Sequence, residues 1–228
     1  MGSHIEEPRC GPRQGVVLVD DDPDIARWLA KVFEAYHVPF RWVGSGEELL
    51  ETWSSGPERR REVVLLDLAL PGMSGIALLE SYVPSVIDTP VLVFTGSADV
   101  GGAVRAMKAG AADLIQKPPE VSALFAALRK AFADDAAAAL REAEAADLRA
   151  SVASLTPREH ELLGQLVHGR TNQEMSVLFG ISPRTVEIHR ARIFSKTRSD
   201  SATDLVHRLW RLGLAHLVER MPSKPEAG

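Results

Sequence analysis

The chain has 228 residues, 45% hydrophobic and 25% charged, with one cysteine and a formal net charge of −5. That length can hold two modest domains, and no apolar run approaches the ~20 residues a membrane helix needs. A lone Cys10 excludes an internal disulfide framework and suits a reducing cytoplasm.

The charge is unevenly divided. Residues 1–150 carry 15 Lys and Arg against 23 Asp and Glu, a balance of −8, and residues 151–228 carry 11 against 8, a balance of +3. An acidic front and a mildly basic back predict two domains with different partners, one of them nucleic acid. The opening "MGSHIEEPRCGPRQG" lacks the apolar core of a signal peptide, so residues 1–15 are read as a tail with tag-like "MGSH" at its start, and a cytoplasmic location is expected.

"VVLV" (16–19) is a β-branched run expected to be a strand buried on both faces. It ends in Asp20, Asp21 and Asp22. Pro23 then suits the first turn of a helix reaching about Tyr36, with Ile25, Trp28, Leu29, Val32 and Phe33 on one stripe. "FRWV" (40–43) predicts a second strand and "GEELLETW" a second helix. "VVLLDL" (63–68) predicts a third strand, closed by the turn-rich "LPGMSG". "PVLVFTG" (90–96) predicts a fourth strand, "AVRAMKAG" a helix stopped at Gly110, and "DLIQKP" (113–118) a fifth strand. This alternation is the pattern of a doubly wound, mostly parallel α/β sheet, whose ligands bind beyond the carboxyl ends of the strands. Asp20 to Asp22, Asp67, Thr95 and Lys117 sit at those ends.

Residues 120–150 are rich in alanine and predict one long helix whose far end leaves the first domain as a connector, either paired with a partner helix or alone. Residues 151–215 read as helical throughout. "LTPREHELLGQLVHG" has Thr156 as N-cap, Glu159 at the capping-box position and Gly169 as stop. "TNQEMSVLFG" and "SPRTVEIHRARIFSKT" are two short helices joined by Gly-Ile-Ser, a helix-turn-helix pattern. A last helix covers about 202–212.

Like carboxylates gathered at one rim need a positive partner, because one would otherwise protonate. A divalent cation fits: Mg²⁺ takes oxygen ligands and typically one or two carboxylates plus phosphate oxygens. With it, Asp67 can act as nucleophile towards a phosphoryl group. Lys117 supplies positive charge, Thr95 a hydrogen bond, and Gly96 room beside them. A nucleotide site would want a glycine-rich loop where "DDDPD" stands, and the lysine argues against a glycoside hydrolase. Asp22 and Asp24 are better explained as first-turn helix charges.

In the basic half, Val186 and Ile193 are expected in the core. That leaves Arg184, Thr185, Glu187, Ile188, Arg190 and Ala191 for DNA. Arg190 and Glu187 are candidates for base contact, and Arg184, Thr185, Lys196 and Asn172 for the backbone. His189, on the core side, is expected to orient the turn by a hydrogen bond. Half-sites about one turn (~34 Å) apart would be read by a dimer.

The stretches "LVDDDP", "LLDLALPGMSG", "VFTG", "AMKAGAADLIQKP" and "LTPREHELLGQLVHGRTNQEM…GISPRTVEIHRARI…K" are, in this order and spacing, similar to the FixJ/NarL family of two-component response regulators. The resemblance covers about residues 15–215. It implies a five-stranded receiver domain of strand order 2-1-3-4-5 (16–132), a linker helix (133–150), a LuxR-type helix-turn-helix domain (151–217) and a tail (218–228). It also implies Asp67 as phosphoacceptor, Mg²⁺ held by Asp21, Asp67 and the Ala69 carbonyl with Asp20 through water, Thr95 as switch hydroxyl, Lys117 as the receiver lysine, and a cis Lys117–Pro118 bond. The implied partners are a sensor histidine kinase, promoter DNA, RNA polymerase and a second copy of the chain. The product is a signal, so the chain is not expected to be an enzyme.

Three positions depart from the family pattern. Leu114 stands where an aromatic switch residue is usual, Pro119 where a Phe is usual, and Thr197 where Leu or Met is usual. The first two predict altered coupling between phosphorylation and output, and the third predicts loose local packing. Two other readings remain: a phosphorylation-independent regulator that uses its receiver to dimerise, and a haloacid-dehalogenase-like phosphatase, which would want an Asp where Ala69 stands.

Overall fold

The computed structural model describes residues 14–54, 61–81, 89–96 and 100–219. The chain folds as two compact units that divide between Ala136 and Ala137, each with its own core. Among the described residues no helix is long and apolar enough to cross a membrane.

The first unit alternates strand and helix: β1 (Gln14–Val19), α1 (Pro23–Ala35), β2 (Phe40–Val43), α2 (Gly46–Ser54), β3 (Arg61–Leu66), α3 (Gly75–Ser81), β4 (Val91–Thr95), α4 (Val100–Lys108) and β5 (Asp113–Gln116). It closes with the first part of α5 (Val121–Ala153). All pairings are parallel, in the order β2-β1-β3-β4-β5. Side chains alternate across a strand, so one continuous apolar run feeds two cores. Val16, Leu18, Val63, Leu65, Leu92 and Phe94 pack with Leu29 and Phe33 of α1 and Leu124, Phe125 and Leu128 of α5. Val17, Val19, Val64, Leu66 and Val93 pack on the opposite face with Leu49, Leu78, Leu79 and Ala106. Burying both faces of these apolar runs thus fixes the register that lines up the strand ends. β1 already starts at Gln14, inside the expected tail, and residues 1–13 lie outside the described ones.

In the second unit the remainder of α5 is followed by α6 (Pro157–Val167), α7 (Asn172–Phe179), α8 (Pro183–Thr197), α9 (Ala202–Arg211) and α10 (His216–Glu219). The expected caps form: Thr156 with Glu159 and Thr171 with Glu174 make capping boxes, and Ser182 caps α8. Gly180 ends α7 at φ 63°, a left-handed conformation that glycine adopts at little cost. Within the second unit, only the far end of the alanine-rich segment packs into a core. Ala145, Leu148 and Val152 of α5 are buried with Leu162, Leu163, Met175, Val186, Ile193, Leu205 and Leu209. Leu140 is exposed. Val218, expected in the tail, is also buried in this core, carried there by α10. Thr197 is not loosely packed. It is 1% exposed and its Oγ1 donates to Ile193 O at 2.8 Å.

Candidate functional site

The acidic pocket is built by extending the sheet ladder one residue past each strand. Asp20 N donates to Val43 O (3.2 Å), Asp67 N to Val19 O (2.9 Å) and Lys117 N to Thr95 O (2.9 Å). These bonds carry Asp20, Asp67, Thr95 and Lys117 to one rim, as their places after apolar runs predict. Each of Asp20, Asp21 and Asp67 offers a carboxylate oxygen, and the three lie within 4.8 Å of one another. Lys117 Nζ lies 2.5 Å from Asp67 Oδ2 and 2.5 Å from Asp20 Oδ2. The first contact is a directed hydrogen bond and the second an ion pair. Asp20, Asp67 and Thr95 are buried, while Asp21 is exposed.

Three carboxylates and one ammonium leave a formal charge of −2. At an effective dielectric of about 20, two carboxylates this close repel by about 3 kcal/mol. Burial pushes Asp20 above its ordinary value, against the opposing pull of Lys117 and the Asp22 N–H. Burial also draws the Lys117 ammonium down, but its contacts with Asp20 and Asp67 outweigh that and the net shift is upward. Three carboxylate oxygens within 4.8 Å of one another, an oxygen-only donor set and a −2 balance all fit a hard divalent cation.

The other acidic residues do structural work. Asp22 caps α1, its Oδ1 accepting from Asp24 N (2.8 Å), and Asp24 pairs with Arg27. Ala69 N donates to Asp67 Oδ1 at 3.1 Å, which fixes the carboxylate's rotation. A methyl built on Gly96 would meet Lys117 Cβ at 3.9 Å, an ordinary contact, so space alone does not demand glycine there. Leu114 is half-buried and packs against the core beside α4, with no ring in the switch position. The Lys117–Pro118 bond is cis.

Two residues of this pocket escape sequence reasoning. A Cβ on Gly75 would lie 2.1 Å from Asp67 O and 2.9 Å from Leu68 Cα, so only glycine lets α3 start against the backbone of the acidic residue. The turn-rich "LPGMSG" signals a bend but not this approach. Trp42, at the end of β2, donates its indole N–H to Asp20 O at 2.7 Å. It pins the loop after β1, and nothing in its spacing marks it.

On the basic side, Val186 and Ile193 are fully buried, which turns the opposite face of α8 outward. Arg184 pairs with Glu187 at 3.0 Å, and Ile188 is exposed beside them. Such an exposed pair contributes about 0–1 kcal/mol and is readily released to a partner. Thr185 sits at the cap, its Oγ1 2.8 Å from Ser182 Oγ. Arg190 Nη1 donates to Asn172 Oδ1 at 2.5 Å, and its guanidinium lies 5.7 Å from the Phe194 ring centroid. The two candidate DNA residues therefore meet each other. Lys196 remains exposed but is tied to a buried carboxylate. Its Nζ donates to Glu159 Oε2 (2.7 Å) and to Ser154 O (3.3 Å). The Lys196 hydrogen bond is the main reason Glu159 is held below its ordinary value. The hydrogen bond expected of His189 is not seen: its buried Nδ1 has no partner among the described residues.

Residues 16–129 match the response regulator receiver domain family and residues 153–209 the luxR family of bacterial regulatory proteins. Among curated proteins, the transcriptional regulatory protein FixJ of Rhizobium meliloti is 36% identical over 84% of this chain and 92% of its own length. FixJ of Azorhizobium caulinodans is 32% identical over 91% and 97%. Among solved structures, the response regulator StyR superposes with a TM-score of 0.72 at 30% identity, covering 87% of this chain and 99% of that one. Full-length FixJ from B. japonicum gives 0.53 at 31%, over 90% and 99%.

Proposed function

This chain belongs to the FixJ/NarL family of two-component response regulators, transcriptional regulators that join a receiver to a LuxR-type DNA-binding domain, and from that membership we propose that Asp67 is its phosphoacceptor. A receiver implies a sensor kinase as partner, and a LuxR-type domain implies DNA. The single observation that carries the assignment is the meeting of Asp20, Asp21 and Asp67 within 4.8 Å, with Lys117 Nζ touching two of them.

Asp20, Asp21, Asp67 and the Ala69 carbonyl would hold Mg²⁺, whose chemistry there is neutralisation of the phosphoryl oxygens. The rest of the work falls to the chain. The Asp67 carboxylate oxygen attacks the phosphorus of the kinase's phosphohistidine. A P–O bond forms as the P–N bond breaks, the histidine leaves with the nitrogen's electron pair, and Asp67 becomes an acyl phosphate. Lys117 then exchanges its bond to the Asp67 carboxylate for one to a phosphoryl oxygen, and Thr95, at the end of β4, supplies a hydroxyl donor with Gly96 beside it. With Leu114 at the switch position, no aromatic ring rotates to report the event, so coupling passes through the backbone and packing of β4 and β5.

Phosphorylation favours a homodimer in this reading. Exposed Val104 and Met107 on α4 offer an apolar face for it, and α5 is the alternative seam. Arg190 and Glu187 read base edges, while Arg184, Thr185, Asn172 and Lys196 contact the backbone of promoter DNA, where RNA polymerase is the further partner. Lys196 makes that contact only while remaining tied to Glu159. The relatives being transcriptional regulators, the chain acts as a switch in the cytoplasm and not as a turnover enzyme.

DNA selected by the protein from random sequence supplies the test, with affinity measured with and without acetyl phosphate and Mg²⁺. Tighter binding and dimerisation with the phosphodonor support the proposal. Equal binding under both conditions would assign the chain to phosphorylation-independent regulation.

A further inference from the structure

The C-terminal turn of α8 receives a guanidinium from another helix. Arg208 of α9 donates through Nη1 to Thr197 O (2.9 Å), Arg198 O (3.0 Å) and Ser199 Oγ (3.0 Å). The last carbonyls of a helix have no intrahelical partner and carry partial negative charge, so a guanidinium there satisfies both needs. The turn is tight: Arg198 adopts φ 50°, and Ser199 N donates to Phe194 O at 3.0 Å. Arg208 is itself anchored on its other side. Its Nε lies 3.6 Å from Glu144 Oε1 of α5, and its side chain is only 15% exposed. Glu144 also accepts from Arg211 Nη2 at 2.6 and 2.7 Å. At the same end of α8, Lys196 reaches Ser154 O, just past α5. Arg198 itself pairs with Asp147 of α5 at 3.2 Å, its side chain 76% exposed, so three ties run from the C-terminal end of α8 to α5 or its end, and that through Arg208 is the buried one.

We propose that Arg208 is a positioning residue for DNA reading: held by Glu144, it fixes the pose of α8 against α5. A helix entering a groove presents its base-contacting side chains correctly only at a defined angle, so an anchor at its far end acts on groups it never touches. Because Glu144 lies on α5, the second half of that helix is part of the reading head. The inference rests on α8 being the helix that reads DNA.

The test uses the full chain and a duplex that it selects from random-sequence DNA, with affinity measured over a range of salt at a temperature where thermal unfolding shows each variant folded. Arg208→Met should weaken binding about tenfold, Arg208→Lys and Glu144→Gln about threefold, and Arg211→Met not at all. The slope of affinity against salt should stay that of the unaltered protein, since a lost phosphate contact would lower it by about one. A merely structural role would lower the unfolding temperature and leave affinity alone, which would overturn the proposal. So would a reduced salt slope, or an Arg211→Met loss equal to that of Glu144→Gln. Arg190→Ala is the control for the underlying reading: if it too binds normally, α8 is not the reading helix and both fall together.

Discussion

The acidic pocket and the outer face of α8 both hold charged side chains ready for a partner, by opposite means. In the pocket, Asp20 and Asp67 are 0% and 7% exposed, their backbones are hydrogen-bonded into the sheet, and Lys117 lies between their carboxylates. On α8, the Arg184 and Glu187 side chains are 82% and 49% exposed and pair with each other across one turn. Burial strengthens every electrostatic interaction in the first region, and water screens those in the second. The chemistry of the pocket is therefore fixed by the fold and costly to alter, while the reading face can change residue by residue without refolding.

The sharpest contrast comes from removing one charge in each region. Lys117→Met should slow phosphoryl uptake from acetyl phosphate by about a hundredfold, the scale of a lost electrostatic donor at a reacting oxygen. Arg184→Ala should leave uptake unchanged. Next in size is Gly75→Ala, which forces a methyl into the Asp67 carbonyl. It should cost about 3 kcal/mol in urea unfolding of the first unit, and a loss under 1 kcal/mol would mean that α3 yields easily.

Lys196 breaks the comparison from within the basic region, because it is tied to a buried carboxylate. Lys196→Met should destabilise the second unit by about 2 kcal/mol, against a few tenths for Arg184→Ala. The pH dependence has a definite sign. Glu159 titrates below its ordinary 4.5 in the folded chain, so its contribution is fully present above that value and is lost as pH falls through the depressed folded one. The stability gap between the unaltered protein and Lys196→Met should therefore close in acid, and a gap constant from pH 7 to 3 would contradict the pairing. Smallest is Trp42→Phe. It removes one hydrogen bond to Asp20 O, and should cost about 1 kcal/mol and weaken Mg²⁺ binding severalfold.

The strands and most of the pocket were legible because their signals are local. An apolar run ending in a polar residue, repeated along the chain, already places Asp20, Asp67, Thr95 and Lys117 on one rim. The caps at Thr156, Thr171 and Ser182 were legible for the same reason, each needing only a few neighbouring residues. What escaped depends on contacts that no local pattern encodes. Gly75 matters through its approach to Asp67 O, Trp42 through a bond from β2 to the loop after β1, and Arg208 through carbonyls on α8. The alanine-rich part of α5 is the single long helix expected, and it does leave the first unit. Alanine is a weak seam on its own, but Ala145 suits close approach to a core built by larger side chains, so with Leu148 it packs into the second unit while Leu140 stays exposed.

The central claim, that the acidic pocket makes Asp67 phosphorylatable, is tested most directly by the intact mass of the protein after incubation with acetyl phosphate and Mg²⁺. The account predicts one added phosphoryl group, located on the peptide containing Asp67, absent without Mg²⁺ and absent in Asp67→Asn. No mass gain in the unaltered protein, or the same gain in Asp67→Asn, would contradict it.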